Sequence, residues 1–319
     1  MKLDALERKR VGRTSIYVTR LGLGGAPLGN AYRSVTDAEA DATITEAIGL
    51  GIRYIDTAPL YGKGRSESRL GRYFATHNKP ADLVFSTKVG RIIRQGAEAD
   101  QELLYDYSDA GVRKSFEGSL QRLGTDTIDI LYIHDPDDHY QEAISQAYKT
   151  IAELRAGGRV KAIGAGMNQW EMELRFAQEG DFDCFLQAGK YTLLDQSAAE
   201  KFLPYCQEKG IGVVIGAPFA YGALTADLRH GALPAVSLPA ATLERALKID
   251  AVCARHDVPL KAAALQFILA HPAVTSVIPG SQTKEEMRQN FELIGYKIPG
   301  GLWDDLKQER LMPESAPTP

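Results

Sequence analysis

The chain has 319 residues and a mass of 34.8 kDa, enough for one large domain or two ordinary ones. Hydrophobic residues are 44% and charged residues 24%, which excludes a mainly disordered chain and leaves ample material for a core. With 37 Lys plus Arg against 41 Asp plus Glu, the formal net charge is −4, so nothing global draws the chain to nucleic acid or to an anionic membrane. In chain order, residues 9–18, with a turn at Gly12, read as a hairpin outside the main pattern. Apolar runs then predict strands at residues 21–25, 53–56, 83–88, 128–134, 162–165, 184–187, 212–216 and 274–278. Most are continuous apolar runs, as strands buried on both faces require.

Amphipathic helices separate them. Thr36 and Glu39 form a capping-box pattern ahead of Ala40, Ile44, Ala47 and Ile48 on one face. Val112, Phe116, Leu120 and Leu123 repeat similarly and stop at Gly124. Ala143, Ile144, Ala147, Tyr148, Ile151 and Leu154 do so before Gly157-Gly158. An extra helix is expected from Gly300, with a frayed tail from Pro313. Eight strands alternating with helices predict a closed parallel (β/α)8 TIM barrel, with an open doubly wound sheet as the second topology. No low-complexity linker interrupts the pattern, so residues 1–319 are expected to form a single domain with its core at roughly 10–295.

Function in such a barrel gathers where strands end at their C-terminal side. There the second, third and fourth strands offer Asp56 and Tyr61, Lys88, and His134. Each has a plainer reading alone: a cap, a loop anchor, a snorkelling lysine, a core histidine. Together they make an acid/base device. A phenol titrates near pH ~10 in water, a nearby ammonium is expected to lower that value, a carboxylate aims the ammonium, and a histidine donates to a substrate oxygen. No nucleophile elbow or HExxH motif supports a hydrolase, and no metal site is expected.

Gly51-Ile52-Arg53-Tyr54-Ile55-Asp56-Thr57-Ala58-Pro59-Leu60-Tyr61-Gly62, followed by Glu67 and Leu70-Gly71, resembles the aldo-keto reductase signature. Ser86-Thr87-Lys88, Leu131-Tyr132-Ile133-His134, Leu21-Gly22-Leu23-Gly24-Gly25 and Val277-Ile278-Pro279-Gly280-Ser281 are similar to further family segments. The resemblance covers roughly residues 10–295 and implies a barrel that binds a nicotinamide cofactor, with Tyr61 as general acid/base supported by Lys88, Asp56 and His134. Residues 23–30 and the loop 134–139 look most similar to a microbial subgroup of D-threo-aldose 1-dehydrogenases, L-fucose dehydrogenases and pyridoxal 4-dehydrogenases, related to plant L-galactose dehydrogenases. That implies oxidation of a cyclic hemiacetal to a lactone. An NADPH-dependent aldehyde or ketone reductase is the alternative, and a non-catalytic nucleotide sensor is the alternative of another class.

The resemblance also implies cofactor contacts. Asn168 and Gln187 would hold the carboxamide, although Met167 stands where relatives carry Ser. The loop Ala217-Pro218-Phe219-Ala220-Tyr221-Gly222 would run beside the pyrophosphate with its N–H groups. Gly216 replaces the usual stacking aromatic, leaving Phe219 or Tyr221 to serve. Gly280 and Ser281 lead into a helix N-terminus, a natural anion site. Gly280 stands where NADPH-preferring relatives carry Lys, and Glu286 where they carry Arg. Glu286 can accept from a ribose hydroxyl but repels a phosphate, so NAD is expected over NADP. NADP stays possible through Lys284 or Arg288, and Thr283 with Glu286 is also a capping box. Gln289 and Asn290 match adenine-contacting positions.

The substrate pocket is expected to be walled by Pro27, Leu28, Arg91, Ile92, Asp135, His139, Phe219 and Trp303. Arg91 and Asp135 read equally as sugar-hydroxyl partners or as a rim salt bridge. The long segment 89–109, with Tyr105 and Tyr107, reads as a partly ordered lid. Three cysteines are too few for a disulfide framework, the charged start shows no apolar leader, and no run approaches the ~18 apolar residues of a membrane span. The expectation is a cytoplasmic monomer or homodimer acting on a small molecule, with no nucleic-acid or membrane partner.

Overall fold

Residues that alternate with helices and are apolar on both faces can only be satisfied inside a parallel sheet wrapped by helices, and the chain does this. The computed structural model describes residues 3–93, 103–225 and 238–319. Its strands are β1 (Arg8–Arg10), β2 (Tyr17–Thr19), β3 (Leu23–Gly24), β4 (Tyr54–Asp56), β5 (Val84–Val89), β6 (Arg91–Ile93), β7 (Leu103–Tyr105), β8 (Ile128–His134), β9 (Val160–Met167), β10 (Cys184–Ala188), β11 (Gly212–Gly216) and β12 (Val274–Val277). The helices are α1 (Asp37–Gly49), α2 (Arg65–Thr76), α3 (Asp109–Leu123), α4 (Tyr140–Glu142), α5 (Tyr148–Ala156), α6 (Trp170–Glu179), α7 (Phe202–Lys209), α8 (Ala240–Arg255), α9 (Leu260–Ala270), α10 (Lys284–Ile294) and α11 (Gly300–Gln308).

Eight parallel strands run in the order β12-β11-β10-β9-β8-β5-β4-β3. The two ends of this sheet meet: Leu21 bridges Val277 and Gly24 bridges Gly280, with the Gly24 N–H donating to the Pro279 carbonyl at 3.0 Å. That contact curls the sheet into the (β/α)8 barrel. Its interior is filled by Tyr54, Ile130, Tyr132, Leu186 and Ile278 among others, so it is a core and not a pore. The antiparallel hairpin β1–β2 plugs the floor by adding Val11, Ile16 and Val18 to that interior cluster. A larger apolar layer between strands and helices runs from Leu3 to Met312.

Local sequence explains the helix ends. The Thr36 hydroxyl accepts from the Glu39 N–H at 3.2 Å, and the Glu39 carboxylate accepts from the Thr36 N–H at 2.7 Å. Gly124 closes α3 in the left-handed region at φ 65°. Several details differ from expectation. Ladder pairing shortens the first barrel strand to two residues and extends β9 at both ends. A π turn (Ala143–Ala147) lies between α4 and α5. Among the described residues, the crossover from β11 to β12 contains the helices α8 and α9. The segment after β5 begins and ends as the antiparallel pair β6–β7, and residues 94–102 of that expected lid lie outside the described residues.

Gly12 shows how the floor depends on one residue. Its φ is 53°, and a Cβ there would collide with the Asp183 carbonyl oxygen at the start of β10. Gly12→Ala is therefore expected to destabilise the protein by about 1–3 kcal/mol in denaturant unfolding. An unchanged unfolding midpoint would show that the hairpin is not wedged against the barrel.

Candidate active site

Asp56 ends β4, Lys88 lies near the end of β5 and His134 ends β8, so neighbouring strands deliver three polar side chains to one rim. Tyr61 joins them from the turn between β4 and α2. That turn is pinned because Gly62, at φ 66°, lies against the Gly29 backbone where a Cβ would collide. The Lys88 ammonium donates to both Asp56 carboxylate oxygens at 2.9 and 2.7 Å, to the Thr57 carbonyl at 2.8 Å, and to the Tyr61 hydroxyl at 3.2 Å. Lys88 and Asp56 are each 1% exposed. Asp56 also accepts from the Ser86 hydroxyl at 2.7 Å, so its carboxylate is held from two sides. The His134 ring stands edge-on to the Tyr61 ring, with centroids 6.1 Å apart.

Burial pulls the Lys88 ammonium down, but Asp56 and then Tyr61 more than offset it and hold the charge above the ordinary lysine value. The phenol departs from the sequence expectation. Burial pushes Tyr61 up to about 12, Lys88 opposes this, and Asp56 adds to the rise. The lysine acts in the predicted direction, yet removal of water from the phenolate outweighs it. At neutral pH Tyr61 is thus a held proton. His134 is buried beside the Lys88 and Arg91 charges; burial first, then those charges, keep it well below its usual value, hence neutral.

The rim is braced from behind. The Tyr107 hydroxyl lies 2.7 Å from the His134 carbonyl and 2.8 Å from that of Asp135, fixing Asp135 in the left-handed region at φ 42°. The Asp135 carboxylate sits 3.0 Å from Arg91 and 3.5 Å from His134 Nε2. The Arg91 guanidinium lies 5.0 Å over the Tyr105 ring, which stacks with His139. Glu67, fully buried, accepts from Thr87 at 2.6 Å and from Arg122 at 2.7 Å, tying α2 to β5 and α3. Arg69 holds the turn after β3 through the carbonyls of Leu28 and Val35, both at 2.6 Å.

A cavity of about 230 Å³ opens over the tetrad and is also walled by Asp135, Met167 and Asn168. A second, of about 210 Å³, is lined by Pro218, Phe219, Gly222, Glu286 and Asn290. Tyr32, Ala217, Tyr221 and Gly280 line both, so the two form one elongated cleft from the tetrad to α10. An acid/base group at one end and polar side chains at a helix N-terminus at the other is a donor set that fits a dinucleotide.

Several expected positions differ. Trp303 is a core residue of α11, 3% exposed, because the helix turns its apolar face onto α8; it does not wall the cavity. Leu28 is fully buried and likewise belongs to the core. Pro27 touches the site only through Gly280, where a Cβ would come within 2.8 Å of its ring. The Gln187 amide is spent on the protein, donating to the Asn168 carbonyl at 2.9 Å and accepting from the Lys190 N–H at 3.0 Å, so it positions Asn168. The Asn168 amide donates to the Ala188 carbonyl at 3.1 Å and to the Tyr221 hydroxyl. In the 217–222 loop, the Ala220 and Gly222 N–H groups are bonded to the Ala217 and Phe219 carbonyls, which leaves the turn fewer amides for an anion. Ser281 is buried behind the cleft against Asn290 at 3.2 Å, and Gln289 does not line the cleft but accepts from Lys261, which does. Arg91 and Asp135 form the rim salt bridge, with Asp135 facing the cavity. Ile92 is buried, and His139 stacks in the aromatic group under the rim. Sequence reading missed Tyr32 and Lys261 on the cleft; Tyr32 lies just past the 23–30 segment and Lys261 in a helix with no motif, and only the fold brings them together.

Removing Lys88 strands a buried carboxylate. Lys88→Met is expected to cost about 3–5 kcal/mol in chemical unfolding, and Asp56→Asn added to it should recover part of the loss. Equal stability of the single variant and the wild type would contradict the ion pair.

Comparison with known proteins agrees with this geometry. The aldo/keto reductase family model matches residues 20–306. The chain is 39% identical to pyridoxal 4-dehydrogenase of Microbacterium luteolum, over 98% of this chain and 100% of that protein. It is 40% identical to D-threo-aldose 1-dehydrogenase of a Pseudomonas species, over 93% and 96% respectively. The solved holo structure of an aldo-keto reductase from Bacillus halodurans superposes with a TM-score of 0.77 at 24% identity, covering 98% of each chain. No described helix is long and apolar enough to cross a membrane. A match to the family model across most of the barrel, with two relatives near 40% identity along almost their whole length, establishes that this oxidoreductase belongs to the aldo/keto reductase family.

Proposed function

We propose that the protein oxidises the anomeric hydroxyl of a cyclic hemiacetal, an aldose or pyridoxal, to the lactone, with NAD as the preferred acceptor. The observation that carries this reading is the Tyr61 hydroxyl 3.2 Å from the Lys88 ammonium, on the wall of a cavity continuous with the α10 cleft. Asn168 at the tetrad end and Glu286 with Asn290 at the far end would hold the dinucleotide. When bound, an oxidised nicotinamide supplies the acceptor for the hydride leaving the anomeric carbon. Tyr61, once its resting proton has gone to solvent, takes the hydroxyl proton as that hydride leaves. Lys88 steadies the phenolate, and Asp56 keeps Lys88 charged and aimed. His134, neutral, donates to the substrate oxygen. Asp135 and Arg91 at the rim suit the remaining hydroxyls of a small polar ring. The names of the two relatives near 40% identity support the same substrate class.

Two features support NAD. A side chain at position 280 would press on the Pro27 ring, so a phosphate-binding lysine has no room there. Lys284 and Arg288, the α10 cations that follow it, face a separate surface hollow, and Arg288 pairs with Glu46 at 2.7 Å. A second reading, reduction of a carbonyl, is favoured by the phenol itself. A proton held up to about 12 is ready to be given to a carbonyl oxygen.

Tyr61→Phe is expected to lower kcat by at least about 10²–10⁴-fold while fluorescence titration still detects bound NADH. Near-normal turnover would remove Tyr61 from the chemistry. The direction is read from pH. Because Tyr61 is protonated at rest, hemiacetal oxidation should rise with pH, up to about tenfold per unit between pH 6 and 9, as the phenolate fraction grows. Carbonyl reduction should stay flat over that range, and neutral His134 should add no inflection near its ordinary value. A flat oxidation profile would exclude Tyr61 as the base.

A further inference from the structure

Resting on the reading that the cleft holds a nicotinamide dinucleotide, we propose that Lys261 is a specificity-determining residue that binds the 2′-phosphate of NADP and opposes Glu286 in cofactor choice. Lys261 is the second residue of α9, a helix no cofactor motif includes. Its side chain reaches the compartment that Glu286, Gln282 and Asn290 line from the α10 side. The ammonium donates to the Gln289 side-chain oxygen at 2.9 Å. Gln289 is on α10, three residues beyond Glu286, so this bond draws the charge to the α10 wall and away from the tetrad.

The charges around it make the residue specific. Among the described residues that line this compartment, Lys261 is the only cation and Glu286 the only anion. No described carboxylate lies within salt-bridge distance of the Lys261 ammonium, and only one of its three protons is used on Gln289. Arg288 is committed to Glu46 outside the cleft, and Lys88 to Asp56 at the opposite end. A dianionic phosphate added to the ribose meets a carboxylate that repels it and an ammonium that attracts it. NAD, lacking that group, offers Lys261 no extra charge to bind. The NADP/NAD ratio is therefore set by two residues of opposite sign, one on α9 and one on α10.

The test uses the whole protein and nucleotide fragments, with no catalysis involved. Isothermal titration compares 2′,5′-ADP with 5′-ADP on the wild type, Lys261→Met and Glu286→Gln. Lys261→Met should weaken 2′,5′-ADP about tenfold or more and change 5′-ADP by less than about twofold. Glu286→Gln should strengthen 2′,5′-ADP, and the lysine-dependent gain should shrink as salt is raised. Equal weakening of both nucleotides would assign Lys261 to a part shared by NAD and NADP and overturn the proposal, as would no change in either. Failure of the folded wild type to bind NAD or either fragment would instead overturn the dinucleotide reading of the cleft. Thermal melting of each variant separates lost binding from lost fold.

Discussion

A lysine ammonium taken almost wholly out of water is the constraint on which the site depends. Desolvation of Lys88 is affordable only because Asp56 grips it with both oxygens and the Thr57 carbonyl takes a further proton. Three acceptors at 2.7–2.9 Å leave the Tyr61 hydroxyl as the fourth and longest contact, at 3.2 Å. That order explains the electrostatics. Lys88 is fixed mainly by the barrel and only secondarily by the phenol, so it can steady a phenolate when one forms without creating one at rest. Burial keeps the proton on Tyr61 at rest.

The barrel serves this arrangement by delivering each group from a different strand. β4, β5 and β8 are neighbours in the sheet, which sets Asp56, Lys88 and His134 side by side without long loops. Less regular parts sit at the mouth. Asp135, Ala217, Ala220 and Tyr221 are non-glycine residues at positive φ, and all belong to segments that border the cleft. Such conformations persist only where surroundings hold them. Tyr107 does so for Asp135, and the short turn hydrogen bonds do so after β11. Rigid strands hold Asp56, Lys88 and His134, and strained turns border the cleft above them.

Much of this was legible in the sequence. Apolar runs without polar alternation located the strands, because a parallel barrel buries both faces. The Thr36 box and Gly124 marked helix ends, since caps are local chemistry. Asp56, Lys88 and His134 were legible because they stand at or near strand ends, and Tyr61 because it lies in the turn that follows β4. What was not legible depends on packing. Trp303 and Leu28 are apolar residues expected at the pocket, and only tertiary contacts decide that they pack into the core. The acidity of Tyr61 could not be read from the presence of Lys88, because the opposing desolvation depends on how tightly the turn at Gly62 closes. Tyr32 and Lys261 lie on two segments far apart in the chain, and no spacing rule joins them before the barrel does.

The balance at Tyr61 can be measured directly. Carbon-13 labelling at the tyrosine ring, with Tyr61→Phe used for assignment, follows its ionisation by NMR in the wild type and in Lys88→Met. The account predicts a wild-type phenol still protonated at pH 10 and a further rise once the lysine is gone. Ionisation near neutral pH, or a titration indifferent to the loss of Lys88, would contradict it.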